Sequence, residues 1–322
     1  MKHRAFLLFT FCFLLAFAAC QKQVETISPE ELARRDSLAL HVAVMPVLDC
    51  LPIYYAQQCG MFESEGLDVR LHEYLSQMDC DTALQFSHAQ VAYTDIMRLL
   101  QMSENTSAIV TLQGKMSLLT ARTKRIRQLK HLGERLVALD RLSATDYWSD
   151  QLMEEAGLDI NDIYRPQIND IQLRTTMLTE QLVDAALLPE PYATQAEMQG
   201  NRRLRSRLEG DSLPHFTCLA IQRPVLADTV RHRQIKQFLA AVAKAARQMN
   251  SAECQEDSIR NILKIQYALP GSVADSLKFT RFPAPLEAKA KDIDEAVRWL
   301  TKRERAPKKQ RRDSLLCNPM EP

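Results

Sequence analysis

The chain has 322 residues, and 41 Lys and Arg stand against 40 Asp and Glu, a formal net charge of +1. That near balance removes any global electrostatic argument for nucleic acid or for an anionic membrane surface as partner. About 300 residues beyond the N-terminal leader are enough for two lobes of ordinary domain size, with a core that does not depend on disulfides.

Residues 1–19 read as a signal peptide. Lys2, His3 and Arg4 form a basic start, and Ala5 to Ala19 is an apolar run short of the ~20 residues a membrane span needs. Phe17-Ala18-Ala19-Cys20 places small residues directly before a cysteine. This resembles the lipobox of bacterial lipoproteins, which implies lipidation of Cys20; the alternative is a plain secretory signal with Cys20 incidental. Residues 20–38 then read as a polar, lipid-anchored tether. Six further cysteines remain, Cys50, Cys59, Cys80, Cys218, Cys254 and Cys317, with no C-x-x-C pair, and the seven histidines are scattered. No metal site and no cofactor is expected.

The chain is organised around Met45 to Val69. His41 to Leu48 is apolar and rich in Val, a buried strand. Asp49-Cys50-Leu51-Pro52 breaks it, and Pro52 suits a first helical turn because its missing N–H would be unpaired there anyway. Ile53 to Phe62 continues as helix, stopping near Gly60, and Gly66 turns the chain into a second strand, Leu67 to Leu71. A strand feeding a helix that returns to a parallel strand leaves strand end and helix start facing one crevice, where open α/β sheets bind ligands.

Ser76 or Asp79 is placed to cap a helix over Cys80 to Ser87. Ala89 to Tyr93 forms a third strand ending in Thr94-Asp95, with a helix from Ile96 to Met102. Ser107 to Leu112, continued by Ser117 to Thr120, reads as the strand that crosses to a second lobe. There, Leu129 to Leu139 gives a turn and a strand, and Ser143 with Asp146 is a capping-box-like start of a helix ending at Gly157. Ser143, Thr145 and Asp146 therefore read equally as cap and as ligand contacts. Ile163 to Ile168 is the next strand, Asp170 to Leu182 a helix, and Val183 to Leu188 a strand ended by Pro189-Glu190-Pro191-Tyr192. His215 to Pro224 is the returning strand. Thr229 to Asn250, Glu253 to Ile265 and Leu286 to Arg303 are helices, and 305–322 is a basic, disordered tail.

Three clusters of these residues carry a family resemblance: Leu51-Pro-Ile-Tyr-Tyr-Ala-Gln with Gly60-Met-Phe, then Glu65-Gly-Leu-Asp-Val, and later Asp184-Ala185 with Glu190-Pro191. The chain resembles periplasmic substrate-binding proteins of the aliphatic-sulfonate, nitrate and thiamine-precursor type. The resemblance extends over about Val42 to Ile221 and reaches the helical C-terminal third in outline. His88 and Gln90 stand where the family carries glycine and aspartate. The implied fold is α/β, a two-lobed type II periplasmic-binding-protein fold, each lobe a mostly parallel sheet flanked by helices. Residues 39–118 would form the first part of lobe 1, 119–213 lobe 2, and 214–304 the return to lobe 1 with the C-terminal helices. The implied function is capture of a small organic molecule between the lobes and delivery to an ABC-transporter permease and its ATPase, by a monomer at the periplasmic face of the cell envelope.

No enzyme is expected. There is no G-x-S-x-G elbow, P-loop or G-x-G-x-x-G. Ser87-His88 with Asp95 makes a poor triad because adjacent side chains point apart. Thiamine-pyrimidine and menaquinone-pathway enzymes share the implied fold but work in the cytoplasm, against the leader; a ligand-sensing lipoprotein is the other alternative. Strand ends and helix starts nominate the ligand contacts: Asp49, Cys50, Leu51, Ser76, Gln77, Thr94, Asp95, Ser143, Thr145, Asp146, Glu190 and Tyr192. The set contains acids and no Lys or Arg, so a neutral or cationic ligand, pyrimidine-like or amine, is expected ahead of sulfonate or nitrate, with Glu190 and Asp95 as polar anchors. Tyr93, Trp148 and Tyr192 are candidates to stack on it, or core residues. Cys50 and Cys80, at the edges of neighbouring strands, are either a disulfide or two small buried thiols.

Overall fold

A computed structural model describes residues 28–102, 106–112, 116–207, 214–251, 254, 256–279, 281–282, 284–305 and 315. The signal peptide and Cys20 lie outside that set. A short N-terminal unit ends at Ala39, and a larger body begins at Leu40.

Within the stretch read as tether lies a helix, α1 (Pro29–Leu38). Ser28 caps it by accepting the Glu31 N–H at 3.2 Å, Pro29 takes the first turn, and Glu31 pairs with Arg34 and Arg35. It buries no residue, so local capping and i,i+3/i,i+4 pairing account for the helix rather than core packing.

The body alternates through β1 (Leu40–Val44), a 3-10 turn at Leu48–Cys50, α2 (Leu51–Gln58), α3 (Met61–Ser64), β2 (Val69–Glu73), α4 (Gln77–Gln85), β3 (Val91–Asp95), α5 (Ile96–Gln101) and β4 (Thr106–Thr111). A second region holds β5 (Met116–Thr120), β6 (Val137–Ala138), α6 (Ala144–Ala156), α7 (Ile171–Thr179), β7 (Ala185–Pro189), α8 (Tyr192–Met198) and β8 (Arg202–Arg203). The chain returns through β9 (Thr217–Gln222) and α9 (Arg223–Ala227). It continues as α10 (Thr229–Met249), α11 (Glu256–Ile265), α12 (Gly271–Ser276), β10 (Leu286–Glu287) and α13 (Ala290–Lys302).

These strands make two sheets, ordered β10-β4-β9-β3-β1-β2 and β6-β7-β5-β8. In each, most strands run the same way, with β9 and β10 against them in the first and β5 in the second. β1 runs parallel to β2 and β3, but β9 enters antiparallel to both β3 and β4; in the second sheet β6 parallels β7 while β5 opposes β7 and β8. A strand that returns from the other lobe lies opposite in direction to those it left behind. β3 and β9 are buried along their whole length, as expected of central strands covered by helices on both faces.

Several segments differ from the sequence expectation. The first strand stops at Val44 rather than Leu48, since Pro46 has no N–H to give a ladder. Ser107–Leu112 and Ser117–Thr120 do not form one strand; β4 and β5 belong to different sheets. Ile163–Ile168 makes only isolated bridges, Leu136 with Tyr164 and Leu139 with Gln167, and Pro166 between them lacks the donor a continuous strand needs. The tail over 305–322 lies outside the described residues except for Arg305 and Leu315, and Leu315 is buried in the main core. That core runs through the first sheet and the C-terminal helices; a smaller cluster of Leu118, Leu132, Val137, Leu152 and Leu187 lies in the second region. No helix among the described residues is long and apolar enough to cross a membrane.

Candidate functional site

The carboxyl ends of β1, β2 and β3 and the starts of α2, α4 and α5 meet loops of the second lobe at one edge. Backbone hydrogen bonds cross directly: the Leu48 N–H donates to the Glu190 carbonyl at 3.0 Å, and the Ile171 N–H, first in α7, donates to the Leu75 carbonyl at 2.9 Å. The edge is therefore closed by the chain's own groups at two points.

Charge is concentrated here. Asp95 ends β3 and caps α5, its Oδ1 accepting the Arg98 N–H at 2.9 Å while Oδ2 accepts Gln77 Nε2 at 2.8 Å and, from the other lobe, the Ala144 N–H at 2.9 Å. Arg98 pairs through Nε with Asp81 and through Nη1 with Asp140, at 3.3 Å, in the second lobe. Thr94 donates to Asp81. Burial pushes Asp95 and Asp140 above the usual carboxylate range and Asp81 up to about 7, against the pull of the Arg98 guanidinium. A second buried base, Arg174, is drawn down to about 10 by burial and donates to the carbonyls of Ile168 and Leu187.

Beside this group, Asp49 sits half-buried on the turn after β1, accepts the Tyr93 hydroxyl at 3.2 Å, and is held up at about 6 by burial. Glu73, exposed at the end of β2, accepts the Tyr54 hydroxyl at 2.8 Å. Tyr54 meets Tyr267 edge to face at 5.0 Å, and Tyr267 donates to the Val47 carbonyl. The Tyr192 hydroxyl is buried and within hydrogen-bonding geometry of no partner among the described residues. Among the described residues no ion pair reaches Asp49 or Glu73.

The nominated residues thus divide. Asp49, Gln77, Thr94 and Asp95 come together at this edge, and Ser143 and Thr145 join them from the second lobe, where both hydroxyls bond the Asp140 backbone and Ser143 caps α6. Ser76 caps α4 by accepting the Asp79 N–H. Leu51 is core. Cys50 and Cys80 are separate, buried free thiols rather than a disulfide, and burial pushes both thiols up. Asp146 is taken up elsewhere: it accepts Arg141 Nε and the Leu142 N–H and lies against Arg165 and Arg303. The capping box is shifted by one residue, since Asp146 reaches back to Leu142 and not to Ser143. Glu190 caps α8 through the Thr194 N–H at 3.0 Å and pairs with Arg203 at 2.8 Å, so its carboxylate already has partners. Trp148 packs against both hydrophobic clusters.

Sequence reading missed Tyr54, Glu73, Asp81, Arg98, Asp140 and Tyr267. Arg98 carried a signal, three residues past a cap at a strand end; Asp140 and Tyr267 come from distant segments with no local mark.

No curated protein sequence matches the chain. By fold it is similar to the alkanesulfonate-binding protein of Xanthomonas axonopodis with MOPS bound, at 15% identity over 84% of this chain and 95% of that one, with a TM-score of 0.71. The ligand-binding component of an ABC-type import system from Staphylococcus aureus gives 0.72 at 12% identity, covering 88% and 97%. The nitrate-binding protein of Synechocystis gives 0.70 at 10%, covering 86% and 84%. The two-lobed periplasmic-binding-protein fold is thereby established. The NMT1/THI5-like family matches residues 48–252, from the turn that carries Asp49 to the end of α10, and the protein belongs to that family.

Proposed function

We propose that the protein is a solute-binding protein that takes a small neutral or cationic molecule between its lobes and delivers it to an ABC-transporter permease, held at the periplasmic face of the envelope by lipid on Cys20. The observation that carries this reading is the charge of the crevice. Asp49 and Glu73 have no basic partner among the described residues, while Arg98 is occupied by Asp81 and Asp140 and Arg174 by carbonyls. A bound amine would meet carboxylates and the rings of Tyr54 and Tyr267; a sulfonate would meet uncompensated negative charge in a partly desolvated setting. Cys50 supports binding over catalysis, since burial disfavours its thiolate.

Mass spectrometry of material released on denaturing the purified protein tests the reading. An organic amine or uncharged heterocycle is expected; a stoichiometric sulfonate or nitrate overturns the charge assignment. For the anchor, Cys20→Ala should move the protein from membrane to soluble fraction or block its processing, and unchanged retention with unchanged mobility removes that part.

A further inference from the structure

Asp95, Arg98 and Gln101 recur every three residues from the cap of α5, which places them on one face of the helix. All three reach residues 140–144 of the opposite lobe. Asp95 Oδ2 accepts the Ala144 N–H at 2.9 Å, Arg98 Nη1 donates to Asp140 Oδ1 at 3.3 Å, and Gln101 Nε2 donates to the Leu142 carbonyl at 3.2 Å. Ala144 opens the 13-residue α6. A helix N-terminus offers unpaired N–H groups and the positive end of the helix dipole, the natural seat of an anion. That seat is filled by a buried carboxylate from the other lobe.

We propose that Asp95 is a built-in anion: by occupying the start of α6 it closes the crevice without an anionic ligand and excludes oxyanions from that position. A second anion beside Asp95 would also face Asp140 and Asp81 at low dielectric, with Arg98 already shared between those two. Charge specificity then follows from this contact, and closure from it together with the crossings of Arg98 and Gln101. The assignment of specificity rests on the crevice being the solute site; the closing contact does not.

Two variants separate the parts of the contact. Ala144→Pro removes the N–H and sets the ring Cδ against Asp95 Oδ2, while the helix start itself accepts it, because proline is favoured at the first helical position and Ser143 already has the extended backbone a residue before proline requires. Asp95→Ala removes the carboxylate and leaves the helix start vacant. Far-UV circular dichroism checks that each is folded, and if Asp95→Ala is not, Ala144→Pro decides the closure alone. On solute-stripped protein, small-angle scattering should show a larger radius of gyration for either variant than for the wild type. In calorimetry with acetate and methanesulfonate, Asp95→Ala should bind at least tenfold more tightly than wild type, and acetate should restore its compact form; Ala144→Pro, lacking the donor, should show no rescue. Wild type binding methanesulfonate as tightly as Asp95→Ala, or folded variants that stay compact without an anion, overturns the proposal. No solute enters these measurements, so a protein that shows the anion pattern but releases no solute refutes the functional reading alone.

Discussion

Helix α6 begins in one buried charge cluster and ends its second turn in another. At its start Asp81, Asp95 and Asp140 gather around Arg98, with Asp49 and Glu73 close by along the same strand edge. Further on, Asp146 and Asp150 receive Arg141, Arg165 and Arg303. Asp150 accepts Trp299 Nε1 at 2.7 Å, Arg165 Nη2 at 2.9 Å and Arg303 Nη2 at 2.6 Å, and Arg303 lies over the Trp299 ring at 4.6 Å. The second cluster has more bases than acids, and its contacts tie α6 to the C-terminal helix α13. The first has more acids than bases and lies where the two lobes meet. Identical residue types thus make two different clusters: where the chain supplies the counter-charges the cluster fastens, and where it does not the cluster keeps an excess of acid.

The sharpest break of this contrast is Asp150→Ala, which strands Arg165, Arg303 and the Trp299 N–H in the interior. A loss of about 3–5 kcal/mol is expected in urea unfolding, with solute affinity unchanged. A loss below about 1 kcal/mol would show that the rear cluster fastens nothing. Next comes Arg98→Met, which leaves Asp81 and Asp140 facing each other. The expected cost is about 2–3 kcal/mol at pH 8 and less at pH 5, because Asp81, already held up at about 7, takes up a proton as pH falls and the unpaired charge disappears. A cost that does not depend on pH argues against that account.

Asp49→Asn should have a smaller effect on the fold and a clear one on binding. With its native value at about 6 and an unfolded carboxylate near 3.9, the wild type loses stability as pH rises from about 4 to about 6. The variant escapes that loss, so it should gain about 1–2 kcal/mol at pH 8 and nothing at pH 3, read by thermal unfolding. Affinity for a cationic solute should fall about tenfold. The smallest effect belongs to Glu190→Gln: about 0.5–1 kcal/mol of stability, from the weakened pair with the half-exposed Arg203, and solute affinity within about twofold. A large loss of affinity there would return Glu190 to the crevice.

Most of this contrast was not legible in the sequence, though its frame was. Pro52 and Gly60, Gly66 and the alternation of apolar runs gave the strands and helices that bring Asp49, Gln77, Thr94 and Asp95 to one edge, because those signals are local. Ser76 and Ser143 were readable as caps for the same reason. What a carboxylate does once there is not local. Asp95 and Asp146 both follow cap-like patterns, yet one reaches across the lobes and the other finds three arginines, including Arg303, 157 positions away by residue number. Glu190 looked like a free acid because Arg203 reaches it only through the pairing of β8 with β5. Pro166 interrupted a strand that composition alone favoured.

β9 occupies the middle of the first sheet, between β3 and β4, yet it is made of residues 217–222. A chain growing from its N-terminus can pair β2, β1 and β3 early, but β4 has no partner until β9 arrives. All four strands of the second sheet lie within residues 116–203 and are complete before that. Joining β4 to β9 also closes a loop of about a hundred residues, whereas β5 and β7 meet across a shorter one, so the entropy of closure favours the same order. Pulse-labelled hydrogen exchange during refolding should protect the amides of β5 and β7 ahead of those of β4 and β9, and simultaneous protection would refute it. The lobe that the ribosome starts first is the one that finishes last.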